Sequence, residues 1–174
     1  MRKQSGLHKF GTPHYRESMN DRHPTAEDRR WMGLAIELAR LCPPSRSAYS
    51  VGAVIVDGDG SEISRGYSRE VDAHVHAEES ALNKLAADDP RLRGATIYST
   101  LEPCSERRSR PLSCTQLILA AGLGRVVFAW REPDLFVADS RGAQILEAAG
   151  VTVVEMPELA EPAREVNRHL SLDV

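Results

Sequence analysis

Two short segments of the chain hold the residue types of a metal-assisted hydrolytic centre. The first is His74-Val-His76-Ala-Glu78; the second is Glu102-Pro103-Cys104, with Cys114 ten positions further on. One imidazole and two thiolates suit zinc. Three protein ligands leave the fourth tetrahedral position open, which a catalytic site needs and a structural one does not. Water in that position loses a proton near neutral pH and becomes a nucleophile. The two thiolates offset the ion's charge, so the centre binds hydroxide without becoming strongly anionic. A nearby carboxylate then takes the proton and hands it on to the reacting groups, the role of a general acid and base. The expected ligands of one zinc per chain are His76, Cys104 and Cys114, and the proton carrier is Glu78. Taken singly these residues say little: a lone cysteine such as Cys114 most often behaves as a small buried apolar group. Their joint pattern carries the assignment. His74 stands as the alternative ligand, and Cys42, ahead of Pro43-Pro44, reads as a structural or incidental thiol.

The elements around these residues must bring them together. His76–Ala87 has helical composition, with Ala81, Leu82 and Leu85 as its apolar stripe. Residues two apart on a helix point to different sides, so His76 and Glu78 converge only if the metal lies off the helix end. Thr115–Ala121 reads as a second helix, closed by Gly122. Both ligand segments thus precede helices, whose positive N-terminal ends favour thiolate over thiol. Upstream, Thr25 and Asp28 form a capping-box-like start, followed by Trp31, Leu34, Ala35, Leu38 and Leu41 at helical spacing and by a stop at Pro43-Pro44. Val51–Val56 is a β-branched strand, Asp57–Gly60 a turn, and Glu62–Tyr67 the returning hairpin strand. Further strands are expected at Ala95–Thr100, Arg125–Trp130 and Val151–Val154, and further helices at Ser140–Ala149, ended by Gly150, and Pro157–Leu170. Strands alternating with helices predict a layered α/β domain with a largely parallel sheet beyond the first hairpin.

The length, 174 residues, suits one domain. Residues 1–24 are rich in Arg, Lys, His, Gly and Ser without apolar periodicity and read as a flexible basic tail, leaving 25–174 as the folded unit. The net charge of −3 and the few aromatics count against a nucleic-acid partner, which would require a basic groove and stacking rings. No apolar run is long enough to cross a membrane, and the N-terminus lacks the apolar core of a signal peptide. Three cysteines in such a chain point to metal chemistry in a reducing, cytoplasmic setting.

The pattern His-x-Glu followed by Pro-Cys and a second Cys resembles the signature of the cytidine-deaminase-like zinc deaminases. Thr100-Leu-Glu-Pro-Cys104-Ser, Cys114, Leu117–Gly122 and Arg125-Val-Val resemble more narrowly the pyrimidine deaminase domain of bacterial riboflavin biosynthesis, and Val51–Val56, Gly142, Leu146 and Ala149-Gly-Val151 fit the same frame. That resemblance spans approximately residues 31–155. It implies a three-layer α/β/α sandwich around a five-stranded mixed sheet, one catalytic zinc, and hydrolytic loss of an exocyclic amine from a diaminopyrimidinone nucleotide. It also implies a homodimer or homotetramer.

The chain departs from that family in its substrate-reading segments. Ser47-Ala48-Tyr49 replaces a Pro-Asn-Pro, Ser68 stands where a histidine is expected, and Glu132-Pro133-Asp134-Leu135 replaces an Asp-Pro-Asn-Pro. The loop between the cysteines is one residue longer than the family's and carries Glu106-Arg107-Arg108-Ser109-Arg110. The family's basic residue in this loop implies that Arg107, Arg108 or Arg110 meets a substrate phosphate, with Ser68 and Asp134 as further substrate contacts. The other readings are a base, nucleoside or deoxycytidylate deaminase on the same fold, a nucleic-acid deaminase, and a non-catalytic zinc module. The presence of Glu78 and a set of only three ligands disfavour the last.

Overall fold

The computed structural model describes residues 22–131 and 141–170. Helix α1, Ala26–Ala39, begins at Thr25, whose side chain accepts from the Asp28 amide while the Asp28 carboxylate accepts from the Thr25 amide, the capping box expected there. Trp31, Ala35 and Leu38 are buried along one face. Leu41 does not belong to that face. The helix stops at Ala39 ahead of the two prolines, and Leu41 is 60% exposed in the turn beyond.

Strands β1, Gly52–Val56, and β2, Glu62–Tyr67, form the expected hairpin; β3 is Thr96–Leu101, β4 Arg125–Trp130 and β5 Thr152–Glu155. The sheet order is β2-β1-β3-β4-β5. The first three strands pair antiparallel, whereas β3, β4 and β5 run parallel, joined by helices α3, Cys114–Ala121, and α4, Gly142–Ala148. The sheet is therefore mixed, and parallel only beyond β3. Helix α1 packs on β1 and β3, with α5 (Ala160–Glu165) beside it on β4. Helix α2, Ala77–Leu82, lies across β2 and β1 and continues into α3 and then α4 as the opposite layer. This is the three-layer sandwich. Phe128, Met32, Ile55, Ile97, Ile118 and Leu146 are fully buried in it.

Two glycines allow the layers to close. A Cβ on Gly52 would lie 2.0 Å from the Ala35 carbonyl of α1, and one on Gly66 would lie 2.5 Å from the Ala81 amide of α2. Helix α2 is shorter than its composition predicts. It ends at Leu82, and the Leu85 amide donates to the Leu82 carbonyl in a tight turn, so the apolar stripe outlasts the helix. The C-terminal segment is likewise broken: 3₁₀ turns at Pro157–Leu159 and Arg168–Leu170 flank α5. Among the described residues, no helix is long and apolar enough to cross a membrane. Asp134, most of the basic N-terminal segment and the start of the expected Ser140 helix lie outside the described residues.

Candidate active site

The three expected ligands converge from two chain reversals. His76 is the N-cap of α2, with extended backbone, and its amide donates to Glu79 Oε2 at 3.4 Å. Cys104 follows β3 on the short Glu102-Pro103 link. The Glu102 amide donates to the Trp130 carbonyl at 2.8 Å, and Glu102 Oε1 accepts from the Ala143 amide of α4 at 2.9 Å. Gly142 lets α4 sit directly on this link, since a Cβ there would fall 2.0 Å from the Pro103 carbonyl. Cys114 opens α3 behind a capping box made by Ser113 and Gln116. Its own amide donates to Cys104 Sγ at 3.4 Å, so the positive end of α3 bears on the other thiol.

His76 Nδ1 lies 3.7 Å from Cys104 Sγ and 3.4 Å from Cys114 Sγ. All three donor atoms fall within 4.8 Å of one another, and they are the one such His, Cys, Asp or Glu group found among the described residues. Bonds of about 2.0–2.3 Å to a tetrahedral ion space its ligands by roughly 3.5 Å. One nitrogen and two sulfurs at these separations fit zinc. Buried donors normally have partners, and here the donors' partners are chiefly one another. The hydrogen bond from Cys114 brings the Cys104 thiol down to about 4 against the effect of burial, with His76 assisting; the same bond and burial hold the Cys114 proton firmly. Burial lowers the His76 pKa, yet contact with Cys104 outweighs it and the net shift is upward.

Glu78 is 3% exposed and sits against this cluster. Its Oε1 accepts from Ser99 Oγ of β3 at 2.8 Å, and its Oε2 accepts from Cys114 Sγ at 3.3 Å. His76 and Glu78 thus converge off the end of α2, because the N-cap residue lies outside the helical twist that separates positions two apart. Ser99 was not singled out in the sequence. Nothing in the sequence sets it apart, since Thr96, Tyr98 and Thr100 of the same strand also carry hydroxyls.

A cavity of about 290 Å³ opens over the cluster, walled by Ser47–Tyr49, Ser68, Arg69, His74, Glu106 and Arg107 among others. His74 is exposed on this wall and stands apart from the three donor atoms. Ser68 lines the cavity with its hydroxyl accepting from the Val51 amide at 3.2 Å. Of the loop arginines, Arg107 alone lines the cavity. Its side chain is 3% exposed and donates to Glu79 Oε2 at 2.9 Å and to the His74 carbonyl at 2.6 Å. Arg110 donates to Asp72 at 2.5 Å and lies 3.4 Å from Glu79. Arg108 is exposed outside the cavity wall. Arg107 and Arg110 therefore fasten the inter-cysteine loop to the start of α2 through carboxylates, which reduces the charge they present to a substrate. Glu79 is a second residue the sequence did not mark. Cys42 is remote from the cluster, its thiol donating to the Val51 carbonyl at 3.4 Å.

The sequence profile of the cytidine and deoxycytidylate deaminase zinc-binding region matches residues 25–130. The chain belongs to this deaminase family. Its relatives include the diaminohydroxyphosphoribosylamino-pyrimidine deaminase of Schizosaccharomyces pombe, 45% identical over 72% of this chain and 31% of that protein. The RibD structure of Acinetobacter baumannii superposes with a TM-score of 0.69 at 34% identity, covering 83% of this chain and 39% of RibD. A C-terminal deletion mutant of the Aspergillus oryzae Rib2 deaminase superposes with a TM-score of 0.65 at 27% identity, covering 84% of this chain and all of that truncated one. The chain spans about a third of the length of the curated relatives it matches. The family's zinc-binding region contains His76, Cys104 and Cys114 within its matched span.

Proposed function

We propose that this chain is a zinc-dependent aminohydrolase that removes an exocyclic amine from a pyrimidine-type nucleotide. The observation that carries this reading is the buried carboxylate of Glu78 beside a nitrogen-and-two-sulfur donor set at the base of a cavity. His76, Cys104 and Cys114 would hold the zinc. When bound, zinc supplies Lewis acidity, the means of making water nucleophilic near neutral pH. The chain's own residues do the rest. Ser99 fixes the rotation of Glu78 through Oε1 and leaves Oε2 on the cluster side. Glu78 takes a proton from the attacking water and delivers protons to the ring nitrogen and to the departing amine. Water oxygen bonds to the ring carbon, the carbon–nitrogen bond breaks, and ammonia leaves. The cavity walls exclude bulk water from the buried carboxylate and orient the ring.

The substrate class rests on the relatives, among which the S. pombe protein is named for a phosphoribosylamino-pyrimidine. We extend the reading to a cytoplasmic homodimer or homotetramer; light scattering on the purified chain tests the assembly, and cell fractionation tests the compartment. Activity is tested by ammonia release from the diaminopyrimidinone nucleotide, its dephosphorylated form, deoxycytidylate, cytidine and cytosine, with and without chelator. Chelator-sensitive turnover of the diaminopyrimidinone nucleotide supports the proposal. Turnover confined to deoxycytidylate or cytidine would move the chain to another branch of the family. Ammonia release that survives complete zinc removal would refute the mechanism.

A further inference from the structure

Arg69 is the second residue of the loop between β2 and α2, and its φ of 64° makes it the one described non-glycine residue in the left-handed region. That conformation costs an L-residue of order 1–3 kcal/mol and persists where surrounding contacts over-determine it. The contacts are visible. The Arg69 amide donates to the Val75 carbonyl at 2.9 Å, closing the loop that leads to His76. The guanidinium reaches the other way, to the segment between α1 and β1. Nε and Nη2 donate to the Pro43 carbonyl at 3.0 and 2.8 Å, Nη1 donates to the Tyr49 carbonyl at 2.7 Å, and Nη2 donates to Ser50 Oγ at 3.0 Å. The guanidinium thus bridges both ends of residues 43–50. This segment has no helix or strand of its own, yet its Ser47, Ala48 and Tyr49 form one wall of the cavity.

None of these acceptors is a carboxylate. Arg107 and Arg110, by contrast, are paired with acids. Burial lowers the Arg69 pKa, the nearby Cys42 thiol opposes that only in part, and among the described residues no carboxylate pairs with the guanidinium. A partly desolvated arginine in a strained backbone, bonded only to main-chain carbonyls and one hydroxyl, stabilises the shape of a loop; it does not add to a network of charges. The planar fork matters, because it holds its donors in fixed directions onto the Pro43 and Tyr49 carbonyls, a geometry that a lysine ammonium on a flexible stem does not reproduce.

We propose that Arg69 is a positioning residue that sets the substrate selectivity of the cavity, by fixing residues 43–50 as the wall that carries Ser47, Ala48 and Tyr49. The selectivity part rests on the deaminase reading above; the fastening of the loop does not. The test compares the full-length zinc-loaded protein with Arg69→Lys and Arg69→Gln. Three quantities are read: amide exchange over residues 43–50, zinc content with melting temperature, and kcat and KM for the diaminopyrimidinone nucleotide and its dephosphorylated form. Both variants are expected to keep zinc. They should exchange the segment's amides at least about tenfold faster, the equivalent of one lost charged hydrogen bond. KM should rise about tenfold or more with kcat held within about threefold, and the preference between the two substrates should shrink. Unchanged exchange in both variants overturns the proposal. So does faster exchange with unchanged KM, or a parallel loss of zinc, melting temperature and kcat, which marks a merely structural role. If the parent protein turns over neither substrate, the diaminopyrimidinone substrate reading falls, and the exchange measurement still decides whether Arg69 fastens the loop.

Discussion

Asp28 of α1 ties the helix to β3 and β4, and removing its charge gives a quantitative check on how this fold is held. Its side chain is 2% exposed and accepts five hydrogen bonds: from the Thr25 amide at 2.8 Å, Thr25 Oγ1 at 2.9 Å, Tyr98 Oη at 2.8 Å, and both terminal nitrogens of Arg125 at 2.6 and 2.9 Å. Burial pushes its carboxyl up, but Arg125, the Thr25 amide and Tyr98 together bring it down from 3.8 to about 2. Asp28→Asn would turn one acceptor into a donor facing donors and leave the Arg125 guanidinium, 17% exposed, without its carboxylate. Breaking a buried pair from one side costs about 3–5 kcal/mol. Urea denaturation at pH 7 should show a loss of that size, and the melting temperature should fall by about 10 °C. The pH dependence supplies a second figure. A carboxylate with a depressed folded-state pKa contributes its full stability above its unfolded pKa and loses it as pH falls through the folded one. The gap between 3.8 and about 2 is worth roughly 2.5 kcal/mol. The stability difference between parent and variant should therefore shrink by about that amount between about pH 5 and pH 1, most of it by pH 2, since the other titrating groups are common to both proteins. A variant destabilised by less than about 1 kcal/mol at pH 7, or a difference that stays constant across the acid range, would refute the view that this pair is a net stabiliser.

Glu78→Gln should keep zinc and lose at least about 100-fold in turnover, because glutamine preserves the shape and carries no proton; near-normal ammonia release from the variant would remove Glu78 from the mechanism. Cys114→Ser should purify with well under one equivalent of zinc, and full metal retention would strike Cys114 from the ligand set. Arg107→Ala and Glu79→Ala should each weaken zinc binding about tenfold by loosening the start of α2, and the double variant should lose little more than either one; strictly additive losses would show that the pair does not act as a unit. Gly66→Ala places a methyl 2.5 Å from the Ala81 amide, so a loss of about 1–3 kcal/mol in urea titration is expected, and an unchanged denaturation midpoint would mean that α2 does not seat on β2 as described.

The candidate ligand set was legible in the sequence because few residue types bind zinc. A histidine, two cysteines and a glutamate in this order allow one main assignment, and His76, Cys104, Cys114 and Glu78 meet in the fold. Strand positions were legible from short-range signals: β4 has the expected bounds as a run of β-branched and aromatic residues, and β2 has them as the strand returning from the Asp57–Gly60 turn. Local composition misjudged where the helices end, because the last turns close through i,i+3 hydrogen bonds while the apolar spacing continues. Leu41 carries the right spacing yet lies past the end of α1, and α2 stops at Leu82 although helix-forming residues continue.

What the sequence by itself determined was which atoms could bind a metal and move a proton. What only the tertiary structure decided was which charges are neutralised and by whom. Arg107 and Arg110 look in the sequence like cations offered to a phosphate; in the fold they are fastened to Glu79 and Asp72, residues 28 and 38 positions earlier. Arg69 stands in an unremarked loop, yet its guanidinium secures the cavity wall across 26 residues of chain. Ligand chemistry is a property of side-chain type and short spacing, and short spacing is written in the sequence. Charge pairing falls off with distance in space, and spatial neighbours separated by tens of residues are set only when the strands have paired and the helices have packed on them.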